Sequence, residues 1–276
     1  IAIGPAPKFL KEGTAYYSYD GHYFYTSYKN LVDDKKVNKN PYYNYYQYVS
    51  HRTTSYLNHV IYNTYVNDES ALYNQADVFF NIQAKYTINA SMMYALALNE
   101  SGLGLSQYAL EYHNLFGHAA IDENPDNANQ YKSIADCVKQ HAYNFLQQSY
   151  LNPEDSRYYG SWFGDKASGI NVNYASDPYW GEKAASFYYQ LDEDGIDQKK
   201  NPIKIIQLSK DLKVYAPNKK DVIYTHKKGS IVSIHILKDK YGYYKISSEA
   251  PVKDNHLNIN AKYKNSYAYI KKSDFK

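Results

Sequence analysis

A single cysteine, Cys137, stands among the 276 residues, which excludes an intrachain disulfide and any zinc site built from several thiolates. The chain contains no run of 18 apolar residues, so no membrane-spanning helix is expected within it. Its opening, Ile1-Ala2-Ile3-Gly4-Pro5, lacks the basic segment and apolar core of a secretory leader. Any leader or anchor is therefore expected to lie outside the sequence as given. The nine histidines are scattered, with no His-x-x-x-His pair of the kind that builds a zinc helix. The loop Asp122-Glu123-Asn124-Pro125-Asp126-Asn127 starts like a calcium loop, but Asn127 stands where glycine is needed and Ser133 where the closing glutamate is needed. The residues thus imply no metal and no cofactor.

Charge is scarce overall, at +3, but unevenly placed. Residues 201–276 carry 16 lysines against 6 acids, +10, whereas residues 1–200 carry −7. A basic tail beside an acidic body points to a polyanionic partner. Nucleic acid and wall teichoic acid both qualify on charge alone. What the chain has in excess is tyrosine, 36 in all. An apolar ring with a wet hydroxyl suits both protein cores and the walls of sugar-binding grooves.

Along the chain, Asp20-Gly21 between aromatic runs predicts a hairpin spanning Tyr16 to Tyr25, and a short helix is expected from Ser27. Residues 1–66 hold too many large aromatics to stay solvated and read as an ordered extension. Helical patterning then runs from 67 to 195. Asp68 is the expected cap of a first helix through Leu72, Ala76, Phe79, Phe80 and Tyr86, and Asn89 of a second from Ala90 to Asn99. Ser133 is expected to cap a third through Ile134, Val138, Ala142 and Leu146. A fourth is expected to start at Asp177-Pro178, with proline at its first position, and to pass through Ala184, Ala185, Tyr188 and Leu191. Asp197 to Pro202 reads as a linker. Short strands follow at Ile203–Leu208, Ile223–Thr225, Ile231–Leu237, Tyr243–Ser247 and Ala268–Ile270, a pattern that suggests a small β-barrel.

The second helix is apolar nearly all round, so it must be buried on every side. It ends in Asn99-Glu100-Ser101-Gly102-Leu103-Gly104. A carboxylate there is disfavoured twice, by desolvation and by the negative end of the helix dipole. A raised pKa is what a general acid needs near neutral pH, as when lysozyme keeps its own acid protonated in an apolar pocket. Ser101, Gly102 and Gly104 are small enough to let a bulky substrate approach. The rival chemistry is a Cys137–His141 pair, four residues apart on one helix face, with the dipole expected to lower the thiol pKa.

Ala95-Leu96-Ala97-Leu98-Asn99-Glu100-Ser101-Gly102-Leu103-Gly104-Leu105-Ser106 resembles the catalytic stretch of glycoside hydrolase family 73, the peptidoglycan endo-β-N-acetylglucosaminidases with a lysozyme-like helical core. Asn114-Leu115-Phe116-Gly117, then Asn173 to Trp180, then Ala184-Ala185 agree with it in order. The resemblance implies Glu100 as catalytic acid, Tyr174 near the scissile bond, and Asn114, Phe116 and Gly117 shaping the cleft. Ser101, Tyr179 and Trp180 are the remaining expected substrate contacts. Some members place a second glutamate downstream in a β-rich lobe. Here that neighbourhood, Ala128-Asn129-Gln130-Tyr131-Lys132, holds no acid, and Asp122 is the best of the nearby carboxylates Asp122, Glu123 and Asp126. The substrate's own 2-acetamido group is the alternative.

Residues 203–276, ending Tyr267-Ala268-Tyr269-Ile270-Lys271-Lys272, resemble a bacterial SH3-like domain, which implies wall binding through teichoic acid or stem peptide rather than nucleic acid. The expected fold class is α+β and multidomain. Residues 1–66 form a Tyr-rich extension packed on the core, 67–197 a lysozyme-like catalytic domain, and 198–276 an SH3-like wall-binding barrel. The expected partner is the peptidoglycan glycan strand, and the expected place is the secreted or wall-bound surface of a Gram-positive bacterium. A muramidase, a lytic transglycosylase and a non-catalytic wall-binding module stay open as other readings.

Overall fold

A computed structural model describes residues 1–118, 130–264 and 266–275. In chain order the helices are Tyr28–Val32 (α1), Tyr45–Tyr48 (α2), His59–Tyr65 (α3), Ala76–Tyr86 (α4), Ala90–Glu100 (α5), Gln107–Tyr112 (α6) and Ile134–Gln140 (α7). α7 continues directly into a π-helical stretch, His141–Tyr150. A 3-10 turn, Ile170–Val172, precedes Trp180–Leu191 (α8) and Ile196–Lys200 (α9).

α5 organises the helical part. The Asn89 side chain accepts the Met92 N–H and caps its start, and every residue from Ala90 to Leu98 is buried. With no polar face to offer water, the helix packs against α4 on one side and α8 on another. Its end is fixed by Ser101, whose Oγ donates to Ala97 O at 2.5 Å, and by the left-handed residues Gly102, Leu103 and Gly104 that follow. A Cβ on Gly104 would sit 2.2 Å from Ser70 Oγ. That glycine is small for the sake of the protein's own packing, not to admit a substrate.

Several expected boundaries move, each for a tertiary reason. Asp68 caps nothing: α4 starts at Ala76, because the segment before it directs its polar groups to the turn after α5. Ser70 Oγ donates to Leu103 O, and Ala71 N–H to Gly104 O. Pro178 is not the first residue of α8, which begins at Trp180. Asn171 Nδ2 holds the carbonyls of Asp177 and Pro178, and Asp177 Oδ1 accepts the Tyr179 N–H, so this stretch is a turn. The expected hairpin reduces to one bridge between Tyr17 and Tyr25. Asp20 Oδ1 instead accepts the N–H groups of His22 and Tyr23. Residues 1–66 are ordered, but α3 lies inside the helical core. Tyr45, Tyr46, Leu57 and Tyr62 share one hydrophobic cluster with α5 and α8.

The expected linker is also structural. Asp197 in α9 is fully buried, and its carboxylate accepts from Tyr56 N at 2.6 Å, Tyr188 OH at 2.9 Å and Ser91 Oγ at 3.0 Å. α9 therefore stitches the N-terminal segment, α5 and α8 together.

Beyond it lie Ile203–Gln207 (β1), Leu212–Tyr215 (β2), Val222–His226 (β3), Ile231–Lys240 (β4), Tyr243–Ser247 (β5), Val252–Lys253 (β6), His256–Leu257 (β7) and Tyr267–Lys271 (β8). β6 and β7, two residues each, are too short to stand out from sequence, and the four-residue β2 was not expected either. Six strands pair antiparallel in the order β1-β4-β5-β8-β2-β3, with β6 and β7 forming a separate pair. No ladder joins β1 to β3 among the described residues, so the expected closed barrel is an open sheet by its pairing. Its inner face, with Val214, Val232, Ile234, Ile246 and Ile270, shares a core with Tyr48 and Trp162 of the helical part. Arg52 completes the seam: Nε donates to Glu249 O at 2.8 Å, and the guanidinium lies 4.0 Å above the Tyr263 ring.

Replacing Asp197 by Ala removes the shared acceptor of Tyr56 N, Tyr188 OH and Ser91 Oγ, so the substitution is expected to destabilise the chain by about 2 kcal/mol. Urea unfolding monitored by tryptophan fluorescence measures this. A loss below about 1 kcal/mol, the ordinary worth of one neutral hydrogen bond, would contradict the stitching role of α9.

Candidate active site

Glu100 is the last residue of α5 and half-buried. Burial raises its carboxyl pKa above the usual glutamate value, and the nearby charge of Asp177 adds to the rise. Hydrogen bonds from Trp180 Nε1 and from Asn99 Nδ2 to Oε1 work the other way without reversing it. Because Oε1 accepts the indole proton, the proton of the neutral acid belongs on Oε2. The group can thus present one oriented O–H.

Trp180 is itself fixed. It is 3% exposed, meets Phe163 edge-on at 5.8 Å and lies 4.7 Å from the Tyr174 ring. Tyr174 packs also against Tyr150, and its phenol is raised well above the usual tyrosine range, by burial first and by Glu100 next. It therefore stays a neutral hydrogen-bond donor. The structure brings Glu100, Tyr174 and Trp180 into one site.

The other expected contacts divide. Asn114 uses its carboxamide within its own turn, Nδ2 donating to His118 O and Oδ1 accepting the His118 N–H, both at 3.0 Å. Phe116 is sealed in the core and stacks on His141 at 3.8 Å, while Gly117 supplies a left-handed turn position at φ +62°. Ser101 holds the end of α5, its Oγ also accepting the Gly104 N–H at 2.8 Å. Tyr179 is 65% exposed on the rim. Asp122, Glu123 and Asp126, with the whole segment 119–129, lie outside the described residues.

The Cys137–His141 alternative fails on its chemistry. The thiol is buried and pushed up to about 12, so the expected dipole effect loses to desolvation. The His141 imidazole is pushed well down by burial, and its Nδ1 is engaged with His118 Nε2 at 3.1 Å. Among the described residues no group of three or more His, Cys, Asp or Glu side chains is placed to hold a metal ion.

Three contributors were not read from sequence. Lys166 and Asn171 tie down the loop bearing Tyr174. Gly181 lets the first turn of α8 pass the loop, since a Cβ there would meet Gly164 O at 1.8 Å. A glycine at the second position of an otherwise good helix is the one visible hint of this. A groove of about 590 Å³, lined among others by Tyr23, Tyr43, Asp165, Lys166, Tyr179 and Glu182, lies beside Tyr179, but Glu100, Tyr174 and Trp180 do not line it.

Residues 76–193 match the family described as mannosyl-glycoprotein endo-beta-N-acetylglucosaminidase. Two proteins of Streptococcus pneumoniae, each named "Putative endo-beta-N-acetylglucosaminidase", are 34% identical over 126 residues, 46% of this chain. The match spans only 18% and 17% of their own lengths. Among solved structures, S. aureus Autolysin E aligns at 20% identity with a TM-score of 0.46, over 67% of this chain and 86% of that one. A catalytic mutant of Autolysin E in complex with the disaccharide NAG-NAM aligns at 18% identity with a TM-score of 0.45, over 68% and 87%. Residues 76–193 are thus similar to a glucosaminidase domain.

A carboxyl whose pKa is raised on folding contributes fully below its unfolded pKa, and that contribution is lost as pH rises through the folded value. Glu100→Gln removes this pH-dependent cost while keeping the oxygen that accepts from Trp180. At pH 7 the variant should melt above wild type, the gain vanishing below about pH 4, where the carboxyl is protonated in both the folded and unfolded chain. Scanning calorimetry at both pH values checks this. A variant that melts lower than wild type at pH 7 would contradict a desolvated Glu100.

Proposed function

We propose that the chain is a peptidoglycan hydrolase that cleaves the β-1,4 bond between N-acetylglucosamine and N-acetylmuramic acid, with Glu100 as general acid. The observation that carries this is the half-buried carboxyl at the end of α5, held through Oε1 by Trp180 and flanked by the neutral phenol of Tyr174. Glu100 delivers its Oε2 proton to the leaving glycosidic oxygen as the bond to the anomeric carbon breaks. Either Asp122 or the substrate's 2-acetamido oxygen stabilises the developing cation at the anomeric carbon, with Tyr174 orienting the acetamido group. Water, giving its proton to the Glu100 carboxylate, then adds at that carbon and restores the acid. Acetamido participation gives the retained anomer as the first product. Ser101, Asn114, Phe116, Gly117 and Tyr179 shape or rim the cleft.

We assign residues 198–276 as an SH3-like wall-docking unit, and place the enzyme at the wall of a Gram-positive bacterium, where it serves cell-wall remodelling, daughter-cell separation or autolysis. Support comes from the outer face of the sheet. Register sets Lys238 and Lys240 of β4 beside Lys245 and Tyr243 of β5, which face Tyr269 and Lys271 of β8. Lys245 lies 3.6 Å over the Tyr267 ring, and Lys219 lies 4.6 Å over that of Tyr269. Cation–π contact holds these ammonium groups on an aromatic floor suited to an anionic wall polymer or a stem-peptide carboxylate.

Zymography on purified walls, with mass spectrometry of the released fragments, tests the chemistry. Wild type should clear walls and release reducing-end N-acetylglucosamine, with Glu100→Gln at least about 100-fold slower. Reducing-end N-acetylmuramic acid, an anhydro sugar, or equal clearing by both proteins would overturn the assignment. For docking, a Lys238→Glu, Lys245→Glu, Lys271→Glu variant should lose about tenfold or more in cosedimentation with walls while keeping turnover of short soluble glycans. Unchanged sedimentation would remove this face from the wall contact.

A further inference from the structure

The loop bearing Tyr174 is gripped by a side chain that the proposed reaction leaves unused. Lys166 Nζ donates to Asn171 O at 2.5 Å and to Ala175 O at 2.6 Å, and lies 3.5 Å from Val172 O. An ammonium group has three donors and no acceptor, and here all three point at carbonyls of one short loop. Two of those carbonyls precede Tyr174 and one follows it. Its charge faces those carbonyls of the 3-10 turn Ile170–Val172 and is also felt by the Asp177 carboxylate. Asn171 grips the far side of the loop, its Nδ2 donating to Asp177 O at 3.1 Å.

The lysine is presented by a turn that is itself anchored. Asp165 Oδ1 accepts the N–H groups of Ala167 and Ser168, and Asp165 Oδ2 accepts the Tyr48 hydroxyl at 2.6 Å. Gly169 closes the turn at φ +87°, where a Cβ would strike Trp162 at 2.7 Å. Tyr48 and Trp162 belong to the core shared with the sheet. A line of contacts thus runs from that core through Asp165 and the exposed Lys166 to the backbone on both sides of Tyr174.

We propose that Lys166 is a positioning residue for the hydrolysis: by clasping the carbonyls of Asn171, Val172 and Ala175 it fixes Tyr174 against the Glu100–Trp180 pair. The inference rests on the reading that Tyr174 acts at the anomeric centre. Lys166 itself performs no proton transfer. It removes freedom from a loop whose displacement by an ångström would misplace the phenol.

The test compares steady-state kcat and KM on a soluble glycan oligomer for the full chain and for Lys166→Met, Lys166→Arg, Tyr174→Phe and the Lys166→Met, Tyr174→Phe pair, with melting temperatures alongside. Lys166→Met keeps the apolar stem and deletes the donors. It should lower kcat about 30- to 100-fold and leave KM within about twofold. Lys166→Arg should recover most of the loss, because a guanidinium also donates to several carbonyls. In the double variant kcat should match Tyr174→Phe within about twofold, since the clasp has nothing left to position. Full kcat in Lys166→Met, a loss confined to KM, or losses that multiply in the double variant would each overturn the clasp. An unimpaired Tyr174→Phe would overturn the role of Tyr174 itself, and the clasp with it. Should Lys166→Met fail to fold, Lys166→Gln, which retains a donor, carries the same comparison.

Discussion

A half-buried carboxylic acid at the end of a helix buried from Ala90 to Leu98 is the constraint on which the rest of this molecule turns. α5 offers no polar face, so protein must surround it, and the cost of that enclosure falls on Glu100 at its carbonyl end. The helix dipole acts in the same direction as desolvation. The indole N–H of Trp180 offsets part of the effect and, by occupying Oε1, decides which oxygen carries the proton. Orientation therefore follows from one contact between α5 and α8, whereas the protonation state follows from burial.

Everything that holds this contact in place comes from distant parts of the chain. α9 ties α8 to α5 through Asp197, and the same carboxylate receives Tyr56 from the N-terminal segment. The sheet is joined to the helical part by a shared core and by Arg52, not by a flexible tether. The Tyr174 loop is fixed from a turn that leans on Tyr48. The sheet and the candidate site are thus parts of one packed body.

The sequence made α5, its Asn89 cap and the carboxyl at its end legible, because an uninterrupted apolar helix has one physical solution. Helices starting at Ser27 and Ser133 were legible for the same local reason, a cap followed by a period. Boundaries set by tertiary bonds were not: Asp68 and Pro178 look like helix starts until Leu103 and Asn171 claim the neighbouring backbone. Asp197 sat in what reads as a polar linker, and only the fold shows that its carboxylate is buried. Tyr174 and Trp180 were singled out on resemblance, but the indole bond to Glu100 joins residues 80 positions apart and leaves no local trace. Lys166 was invisible for a related reason, since a lysine that bonds backbone carbonyls needs no partner of particular type.

The central claim is that Glu100 stays protonated where an ordinary glutamate has already ionised. Titrating the chain with 13C-labelled glutamate by NMR, and assigning the resonance by its loss in Glu100→Gln, measures this directly. The account predicts a midpoint clearly above the usual glutamate value of about 4.3. A midpoint at or below that value would mean that the pocket does not keep the acid neutral, and the mechanism built on it would fall.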